Sequence, residues 1–353
     1  MNVPPFRILL APLLSILCGC GLAAEPGAVI QDIGFGSCLN TTEHPMLDRA
    51  LTLPMDLFVF LGDNIYADTT DMDVMRAKYD ALKRSRFFQE LRRKASILAT
   101  WDDHDYGAND SGAEYVMRRE SREEFFRWLD EPPESPRRQR EGVYDSRIFG
   151  PEGKRVQVIL LDTRYFRSPL RRVAKEEQKL VGGRYLPSPD KSAAMLGEAQ
   201  WRWLEQELQK PAEVRLLASS IQFVSEFSGA EAWANLPHEK QRMLDLLART
   251  RANGVLFVSG DRHWCELSKM DGPAGYPLYD LTASAMTIRH PRGTPTQNNY
   301  RALPVTYHDA NVGHLHIDWA QADPLLTFKI IDVQGTPRIE HAFRLGELTP
   351  AQR

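Results

Sequence analysis

Three apolar stretches of strand length in this sequence end in acidic or imidazole side chains. The first, residues 56–61 (DLFVFL), stops at Gly62 and is followed at once by Asp63 and Tyr66. The other two are residues 96–105 (SILATWDDHD) and 254–263 (GVLFVSGDRH). Polar side chains that follow buried parallel strands lie at the carboxyl edge of the sheet, where α/β proteins bind their ligands. The pattern predicts a metal centre at one sheet edge.

The elements around these stretches predict an α/β fold. We expect a strand at 29–35, a helix at 45–51, a strand at 56–63, a helix from an Asp71 cap to Arg93, and a strand at 96–103. This alternation favours right-handed crossovers and a largely parallel sheet.

The second half of the chain predicts another sheet. Residues 142–149 and 155–166 read as adjacent strands that follow a proline-rich connection at 131–141. Further strands are expected at 214–224 and 254–261, helices at 195–208 and 239–251, and a closing hairpin at 314–319 and 325–333. Residues 167–194 show little periodicity and read as a long surface excursion.

The charge balance argues against a nucleic-acid partner. The chain has 44 Lys and Arg against 47 Asp and Glu, a net charge of −3. Proteins that bind nucleic acids usually carry a basic excess or stripe. We therefore expect no nucleic-acid-binding surface.

The N-terminal segment has the features of a signal peptide. Arg7 is its only charge, and the apolar residues 8–17 are too few to span a bilayer. Residues 17–20 (LCGC) resemble a bacterial lipobox, which would make Cys20 a lipid-modified residue. Simple cleavage near Ala23 or Ala24 is the alternative. We expect residues 1–24 to be removed, residues 25–353 to form a single domain, and the protein to be exported by a bacterium, either to the periplasm or to a lipid anchor on the membrane.

The domain that follows the processed segment contains two cysteines, Cys38 and Cys265. In an oxidising compartment they could form a disulfide. Cys38 also lies among the strand-end residues, where a metal would bind it as a thiolate. Both interpretations stay open on the sequence.

The strand-end residues are those that phosphate ester hydrolysis requires. Two cations about 3.5–4 Å apart can activate a water and neutralise the phosphate, and a carboxylate shared between them is the natural bridge. An imidazole beside them can contact the phosphate or protonate the leaving group.

Four motifs resemble those of the PhoD-like alkaline phosphatase D family. Residues 62–66 (GDNIY) match the GDxxY signature of purple-acid-phosphatase-like metallophosphoesterases. Residues 36–38 (GSC), 101–105 (WDDHD) and 259–264 (SGDRHW) are similar to those of the PhoD branch. The resemblance spans roughly residues 34–313. It implies a four-layer sandwich in which two packed mixed β-sheets are flanked by helices.

The resemblance also implies the metals. Cys38, Asp63, Tyr66 and His263 would hold Fe³⁺, which suits thiolate and phenolate ligands. Asp103 and Asp261, with Asp63 and Asn109, would form an oxygen-rich site for one or two Ca²⁺ ions.

The remaining roles implied by the resemblance concern the substrate. His104 would be the catalytic imidazole, oriented by Asp105 or Asp102. Arg164 and Arg262 are candidates to contact phosphate. For each arginine, a structural ion pair with a nearby aspartate is an equal alternative.

The activity expected is hydrolysis of a phosphomonoester or phosphodiester by a hydroxide generated at the metals. One alternative is a phosphodiesterase or phospholipase acting on envelope polymers or lipids. Another is a non-catalytic surface binding protein with the same fold. Neither GxSxG nor HExxH occurs in the sequence, so it has no motif that indicates a serine hydrolase or a zincin. We expect a monomer.

Overall fold

The computed structural model describes residues 27–181, 183–290 and 297–350. The predicted signal peptide and Cys20 lie outside the described residues. Among the helices within these ranges, none combines the length and the apolar content needed to cross a bilayer.

The first sheet has six strands in the order β12–β11–β10–β1–β2–β3. They are β1 (Asp32–Gly36), β2 (Leu57–Leu61), β3 (Ser96–Thr100), β10 (Asn311–Asp318), β11 (Leu325–Asp332) and β12 (Pro337–Arg344). β1, β2 and β3 are parallel, and β10, β11 and β12 continue the sheet in antiparallel pairs. The sheet is therefore mixed.

The second sheet also has six strands, in the order β4–β5–β6–β7–β9–β8. They are β4 (Asp145–Phe149), β5 (Val156–Leu160), β6 (Val214–Ala218), β7 (Val255–Ser259), β8 (Glu266–Asp271) and β9 (Pro277–Thr282). Four strands, β5, β6, β7 and β9, run parallel, and an antiparallel strand closes each edge.

The described residues also contain eight α-helices and three short 3₁₀ helices. The α-helices are α1 (Pro45–Thr52), α2 (Met72–Arg84), α3 (Arg86–Lys94), α4 (Asp103–Tyr106), α5 (Arg118–Trp128), α6 (Gln178–Val181), α7 (Gly197–Leu208) and α8 (Pro237–Thr250). The 3₁₀ helices are Pro136–Gln139, Trp233–Asn235 and Leu345–Leu348.

The apolar alternation along the strands builds four layers. On β2, Val59 joins a core with side chains of the second sheet such as Leu216. Phe60, on the opposite face of β2, packs against α3 and α5 through Phe88 and Trp128. Successive residues of a strand point to opposite faces, so one strand serves both cores. Because α7 and α8 pack on the second sheet through Leu204 and Leu246, the predicted sandwich of two mixed sheets flanked by helices is confirmed.

The structure corrects the helix predicted from Asp71 to Arg93. Asp71 does cap α2, accepting a hydrogen bond from the backbone of Asp73 at 2.9 Å. However, α2 ends at Arg84, and the Ser85 side chain caps a separate helix by accepting from the Phe88 backbone at 3.2 Å. A serine competes for backbone hydrogen bonds and so favours a helix start over a helix interior.

The sequence analysis missed strands β8, β9 and β12. Two of them, β8 (ELSKMD) and β12 (PRIEHAFR), lie at sheet edges and carry charged residues. Charges protect an edge strand from pairing with other chains, and they also weaken the apolar pattern by which a strand is recognised.

Candidate metal centre

The turns that follow the strands hold the site residues in left-handed backbone conformations. The angle φ is +59° at Cys38 after β1, +53° at Asp63 after β2, and +65° and +57° at Asp261 and His263 after β7. Such values cost a residue other than glycine about 1–3 kcal/mol, and they concentrate at functional sites. The strain therefore marks the sheet edge that the sequence indicated.

Gly62 allows the turns after β2 and β3 to touch. Its φ is +104°, and a Cβ atom at this position would lie 2.5 Å from the Cβ of Asp102. A side chain at residue 62 would separate Asp63 from Asp102 and Asp103. The glycine of the GDNIY motif is thus required by the approach of two backbones.

A sulfur-containing group consists of Cys38, Asp63, Tyr66 and His263. The Cys38 thiol donates to Asp63 Oδ2 at 3.4 Å, and the Tyr66 hydroxyl donates to the same oxygen at 3.2 Å. The Tyr66 hydroxyl also lies 3.2 Å from His263 Nε2. Four predicted ligands from three strand ends therefore meet at one point.

Burial shifts the pKa values of this group toward the uncharged forms of its side chains. Burial, reinforced by Asp103 and Cys38, raises the pKa of the Asp63 carboxyl well above its usual range. Burial also raises the pKa of the Cys38 thiol to about 12 and lowers that of His263 to about 4. A bound cation would stabilise the carboxylate and the thiolate, and a neutral imidazole is the form that coordinates metals.

A second set, the carboxylate group, consists of Asp102, Asp103 and Asp261. One oxygen from each lies within 4.8 Å of the others. Asp102 Oδ2 and Asp103 Oδ1 are buried without a hydrogen-bond partner in the described part of the chain. Burial, together with the charge of Asp102, raises the pKa of Asp261 well above its usual range. Orphaned carboxylate oxygens are costly to bury, and a cation would satisfy them.

Asp63 connects the two groups. It belongs to a set with Cys38 and His263 and to another with Asp103 and His104, in each of which the ligand-capable atoms lie within 4.8 Å. Its carboxylate is thus placed to serve cations on both sides. The residues present fit two metal positions, one with sulfur, oxygen and nitrogen donors and one with carboxylate oxygens alone.

A further acidic set, Asp103 with Asp110 and Glu231, already has positive partners. Glu231 accepts from Arg164 at 2.7 Å and from Arg167 at 2.5 Å. Asp110 pairs with Arg184 at 2.7 Å and accepts from the Tyr185 hydroxyl at 2.5 Å. Asp110 and Glu231 were not predicted from the sequence. Asp110 could have been found because it directly follows the predicted ligand Asn109, whereas Glu231 lies outside every motif. The nearby arginines make this set a structural network.

Asp68 orients His104, and this corrects the expectation that Asp105 or Asp102 does so. His104 Nδ1 lies 2.8 Å from Asp68 Oδ1, and the imidazole packs on the Tyr66 ring at a centroid distance of 4.2 Å. Burial alone would lower the pKa of His104, but the hydrogen bond with Asp68 and the charge of Asp103 raise it to about 9. Asp68 stands two residues beyond the GDNIY motif, so no spacing pointed to it.

Asp105 holds the strand-end turns together. Its Oδ1 accepts from the backbone N–H of Asp63 at 3.0 Å and of Asp102 at 2.7 Å. Its Oδ2 accepts from the Asn64 side chain at 2.5 Å. Because its oxygens are engaged beneath the site, Asp105 positions Asp63, and its predicted catalytic role has no support in these contacts.

The two arginines predicted to contact phosphate lie in different environments. Arg164 is fully buried, and its Nε donates to Asp102 Oδ1 at 2.5 Å. Arg262 lines a cleft and packs on Trp264, with its Cζ atom 4.3 Å from the ring centroid. Its Nε atom has no hydrogen-bond partner among the described residues. Arg164 therefore has the structural role of pairing with an aspartate. Arg262 Nη1 lies 3.8 Å from Asp261 Oδ2, which is too long for a hydrogen bond, so the guanidinium in the cleft wall remains available for an anion.

The cleft above the two groups has a volume of about 890 Å³. Its lining includes the predicted site residues Asp63, Asp103, His104, Asn109, Asp261, Arg262 and His263. Asn109 is exposed and belongs to neither group, so its predicted role as a metal ligand stays a prediction.

Cys38 and Cys265 are free thiols in the structure. Ser284 lies beside both of them, with its Oγ 3.2 Å from Cys38 Sγ and its carbonyl oxygen 3.4 Å from Cys265 Sγ. The alternative of a disulfide is therefore not what the structure contains.

Arg164 gives a stability prediction. Arg164→Met should reduce the free energy of unfolding by about 3–5 kcal/mol, because it leaves the buried carboxylate of Asp102 without its cation and leaves Glu231 with Arg167 alone. Arg147→Met, which removes a half-exposed arginine from β4, should cost about 1 kcal/mol or less. Urea unfolding measures both, and equal stability of the two variants would contradict the role given to Arg164.

Metal removal gives a second prediction. A cation that binds only the folded chain at about a thousand times its Kd adds about 4 kcal/mol, which raises Tm by roughly 6 °C or more in a chain of this size. Differential scanning calorimetry of chelated and reloaded protein measures the difference. An Asp63→Asn, Asp261→Asn double variant should show no rise on reloading. Identical Tm values for chelated and reloaded wild type would mean that the two groups hold no metal.

Comparisons with known proteins agree with this geometry. A family model described as PhoD-like phosphatase matches residues 36–316, whereas a search of curated proteins returned no match. The solved structure entitled "Structure of PhoD" is similar with a TM-score of 0.60 and 14% identity, over 90% of this chain and 72% of that one. GAP50, described as the anchor in the inner membrane complex of Plasmodium, is similar with a TM-score of 0.55 and 12% identity, over 92% of this chain and 90% of that one.

At these identities the solved structures show the fold alone. The family model covers well over half of the sequence and all of the residues in the two proposed metal groups. This chain belongs to the PhoD-like phosphatase family.

Proposed function

We propose that this protein is a metal-dependent hydrolase of phosphomonoesters or phosphodiesters. The observation that carries the proposal is the position of the Asp63 carboxylate, which is shared between the sulfur-containing group and the set with Asp103 and His104. Cations held on both sides of Asp63 would lower the pKa of a water and neutralise the phosphate.

The chain's own residues would supply proton transfer. Asp68 engages Nδ1 of His104, so Nε2 is the nitrogen left to face a substrate in the cleft. The hydrogen bond with Asp68 raises the pKa of the imidazole, which favours the protonated form that can donate to the departing oxygen. The contact with Asp68 fixes the tautomer and the ring orientation.

Arg262 would hold the phosphate. The side chain is only 9% exposed, lies against Trp264 and lines the same cleft as His104. A guanidinium restrained in this way can offer two parallel N–H groups to a phosphate with little loss of conformational freedom.

The donor types favour Fe³⁺ at the sulfur-containing group and Ca²⁺ at the carboxylate group. We expect the metal-loaded protein to show a tyrosinate-to-iron charge-transfer band in its visible spectrum, and Tyr66→Phe to lose it while keeping the fold. Elemental analysis should find iron and calcium. Tyr276→Phe changes a phenol outside the cleft and should keep the band; a colourless wild type that contains zinc alone would rule out the iron assignment.

Export is also part of the proposal. Support comes from the signal-peptide features of residues 1–24 and the lipobox resemblance at Cys20. We propose an exported, monomeric protein, either periplasmic or anchored to the membrane through a lipid. Fractionation of wild type and Cys20→Ser would separate these cases, since only the lipid-anchored form would move to the soluble fraction on substitution.

The test of the function is hydrolysis of p-nitrophenyl phosphate and bis(p-nitrophenyl) phosphate by the protein reloaded with iron and calcium. Turnover of either ester that chelation abolishes is the expected result. Equilibrium binding of inorganic phosphate without turnover of either ester would instead identify a surface binding protein. Preference for the diester over the monoester would favour a phosphodiesterase that acts on envelope polymers or lipids.

A further inference from the structure

One side of the cleft is cationic, in contrast to its acidic floor. Lys175, Lys179 and Arg184 line it, and we call them the cationic rim. All three belong to the excursion after β5. Residues 167–186 contain six Lys or Arg and two Glu, whereas the whole chain has a net charge of −3. Positive charge is therefore concentrated on this excursion, and three of its six Lys or Arg residues line the cleft.

Backbone pairing holds the excursion against the protein. The Val173 N–H donates to the Arg184 carbonyl at 2.9 Å, and the Leu186 N–H donates to the Arg171 carbonyl at 3.0 Å. The Arg184 N–H donates to the carbonyl of Gly229, another residue of the cleft wall, at 2.6 Å. The rim is thus attached to the fold by hydrogen bonds at its base.

A chain of contacts connects the rim to the carboxylate group. Arg184 Nη1 lies 2.7 Å from Asp110 Oδ2, and the Asp110 N–H donates to Asp103 Oδ2 at 2.7 Å. Arg184 is therefore two contacts from a proposed metal ligand, and its position beside the metal centre is fixed by Asp110.

The two lysines have no carboxylate partner in the described part of the chain. Within residues 27–181, 183–290 and 297–350, no ion pair joins Lys175 or Lys179 to an acidic side chain, and both are exposed. The two arginines of the cleft lining each lie near an aspartate: Arg184 is 2.7 Å from Asp110, and Arg262 is 3.8 Å from Asp261. Unpaired ammonium groups beside a low-dielectric cleft attract anions and raise their local concentration.

We propose that the cationic rim is a second anion subsite, which selects phosphate esters that carry a second phosphate group beyond the ester being cleaved. The inference rests on the proposed hydrolase function and deepens it. The ester phosphate would lie with Arg262 and His104, and the second phosphate would lie across the cleft against Lys175 and Lys179. A substrate with one phosphate would use only the first of these positions.

The test compares matched substrates in the metal-loaded enzyme. Two pairs differ by one phosphate: adenosine 5′-monophosphate with adenosine 3′,5′-bisphosphate, and glucose 1-phosphate with glucose 1,6-bisphosphate. Wild type should have the higher kcat/KM for the bisphosphate of a pair. A preference for the bisphosphate in both pairs would show that the subsite recognises the second phosphate whatever carries it. A preference in one pair would show which of the two, the nucleoside or the sugar, places the second phosphate at the subsite. No preference in either pair would overturn the proposal.

A double variant, Lys175→Ala with Lys179→Ala, should lower kcat/KM for the preferred bisphosphate about tenfold, the equivalent of about one charge-assisted hydrogen bond. The kcat/KM of this variant for the monophosphate should stay within about twofold of the wild-type value. The difference in kcat/KM between wild type and variant for the bisphosphate should shrink as salt is raised to about 0.5 M. The matched control, Lys154→Ala with Lys191→Ala, removes the same charge from exposed positions outside the cleft and should behave as wild type. The subsite would be overturned if both double variants lost kcat/KM for the bisphosphate equally. It would also be overturned if the Lys175 and Lys179 variant lost kcat/KM equally for the monophosphate and the bisphosphate of a pair.

Failure of the subsite is distinguishable from failure of the function. A protein that hydrolyses the monophosphates without the expected preference would retain the proposed function and lose the subsite. If no ester is hydrolysed, calorimetric titration with adenosine 3′,5′-bisphosphate decides the question of binding. Weaker binding by the Lys175 and Lys179 variant than by its control would support the subsite, and equal binding would overturn it.

Discussion

Asp63→Asn should reduce turnover of phosphate esters on the order of a thousandfold, the effect of removing one strong electrostatic contribution from an active site. The substitution keeps the size of the side chain and removes the charge that faces both metal positions. Metal content, measured by elemental analysis after dialysis, should fall together with the activity. The backbone N–H of Asp63 remains bonded to Asp105, so the fold should be retained.

The control for Asp63 is Asp245→Asn, which removes an exposed carboxylate from α8. Its activity, metal content and circular dichroism should match wild type. Asp63→Asn protein that keeps both metals and full turnover would remove the basis of the proposed mechanism.

His104→Gln should lower kcat by about a hundredfold to ten-thousandfold, the usual range for a general acid or base. Glutamine keeps a polar group in the cleft but cannot transfer the proton. Metal content should not change, because the predicted ligands are intact. His316→Gln, at a half-exposed histidine of β10 that contacts Asp32, serves as the matched control. Loss of metal in His104→Gln, instead of loss of kcat alone, would identify His104 as a ligand.

Asp68 should affect kcat through His104. Asp68→Asn replaces the charged partner of Nδ1 and should lower kcat about tenfold to a hundredfold, as substitutions behind a functional histidine commonly do. KM should change little, since Asp68 is not itself among the residues that line the cleft, and Asp68→Glu should restore part of the rate. A merely structural role would instead lower Tm in both variants without this recovery of kcat.

The sequence was most informative where a functional residue stands directly at a strand end. Asp63 follows β2 after one residue and His263 follows β7 after three, so the direction and the order of parallel strands place them together. Buried parallel strands also have continuous apolar runs, which made β2 and β7 recognisable. The two-sheet architecture and the shared sheet edge of Asp63 and His263 could therefore be predicted, whereas the full set with Cys38 and Tyr66 came from the resemblance to the family.

Residues on loops and on distant segments could not be placed in the same way. Asp68 reaches His104 because the Asp68 N–H and the neighbouring Ala67 N–H bond to the His104 carbonyl oxygen at 3.4 and 3.0 Å. Glu231 reaches Arg164 across 67 positions of sequence. Such contacts depend on how loops pack on the sheet edge, and no local periodicity encodes them.

The sequence by itself determined the fold class, the family and the metal-binding character of the sheet edge, because strand period, strand-end chemistry and motif order are local properties. Tertiary structure decided the use of each charged group. Arg164 and Arg262 are alike in sequence terms, since each follows a strand end and an aspartate. Burial among Asp102 and Glu231 makes Arg164 structural, whereas packing on Trp264 at the cleft leaves Arg262 available for an anion. The physical reason is that the role of a charge depends on its partners and on its distance from water, and both are set by chain segments far apart in sequence.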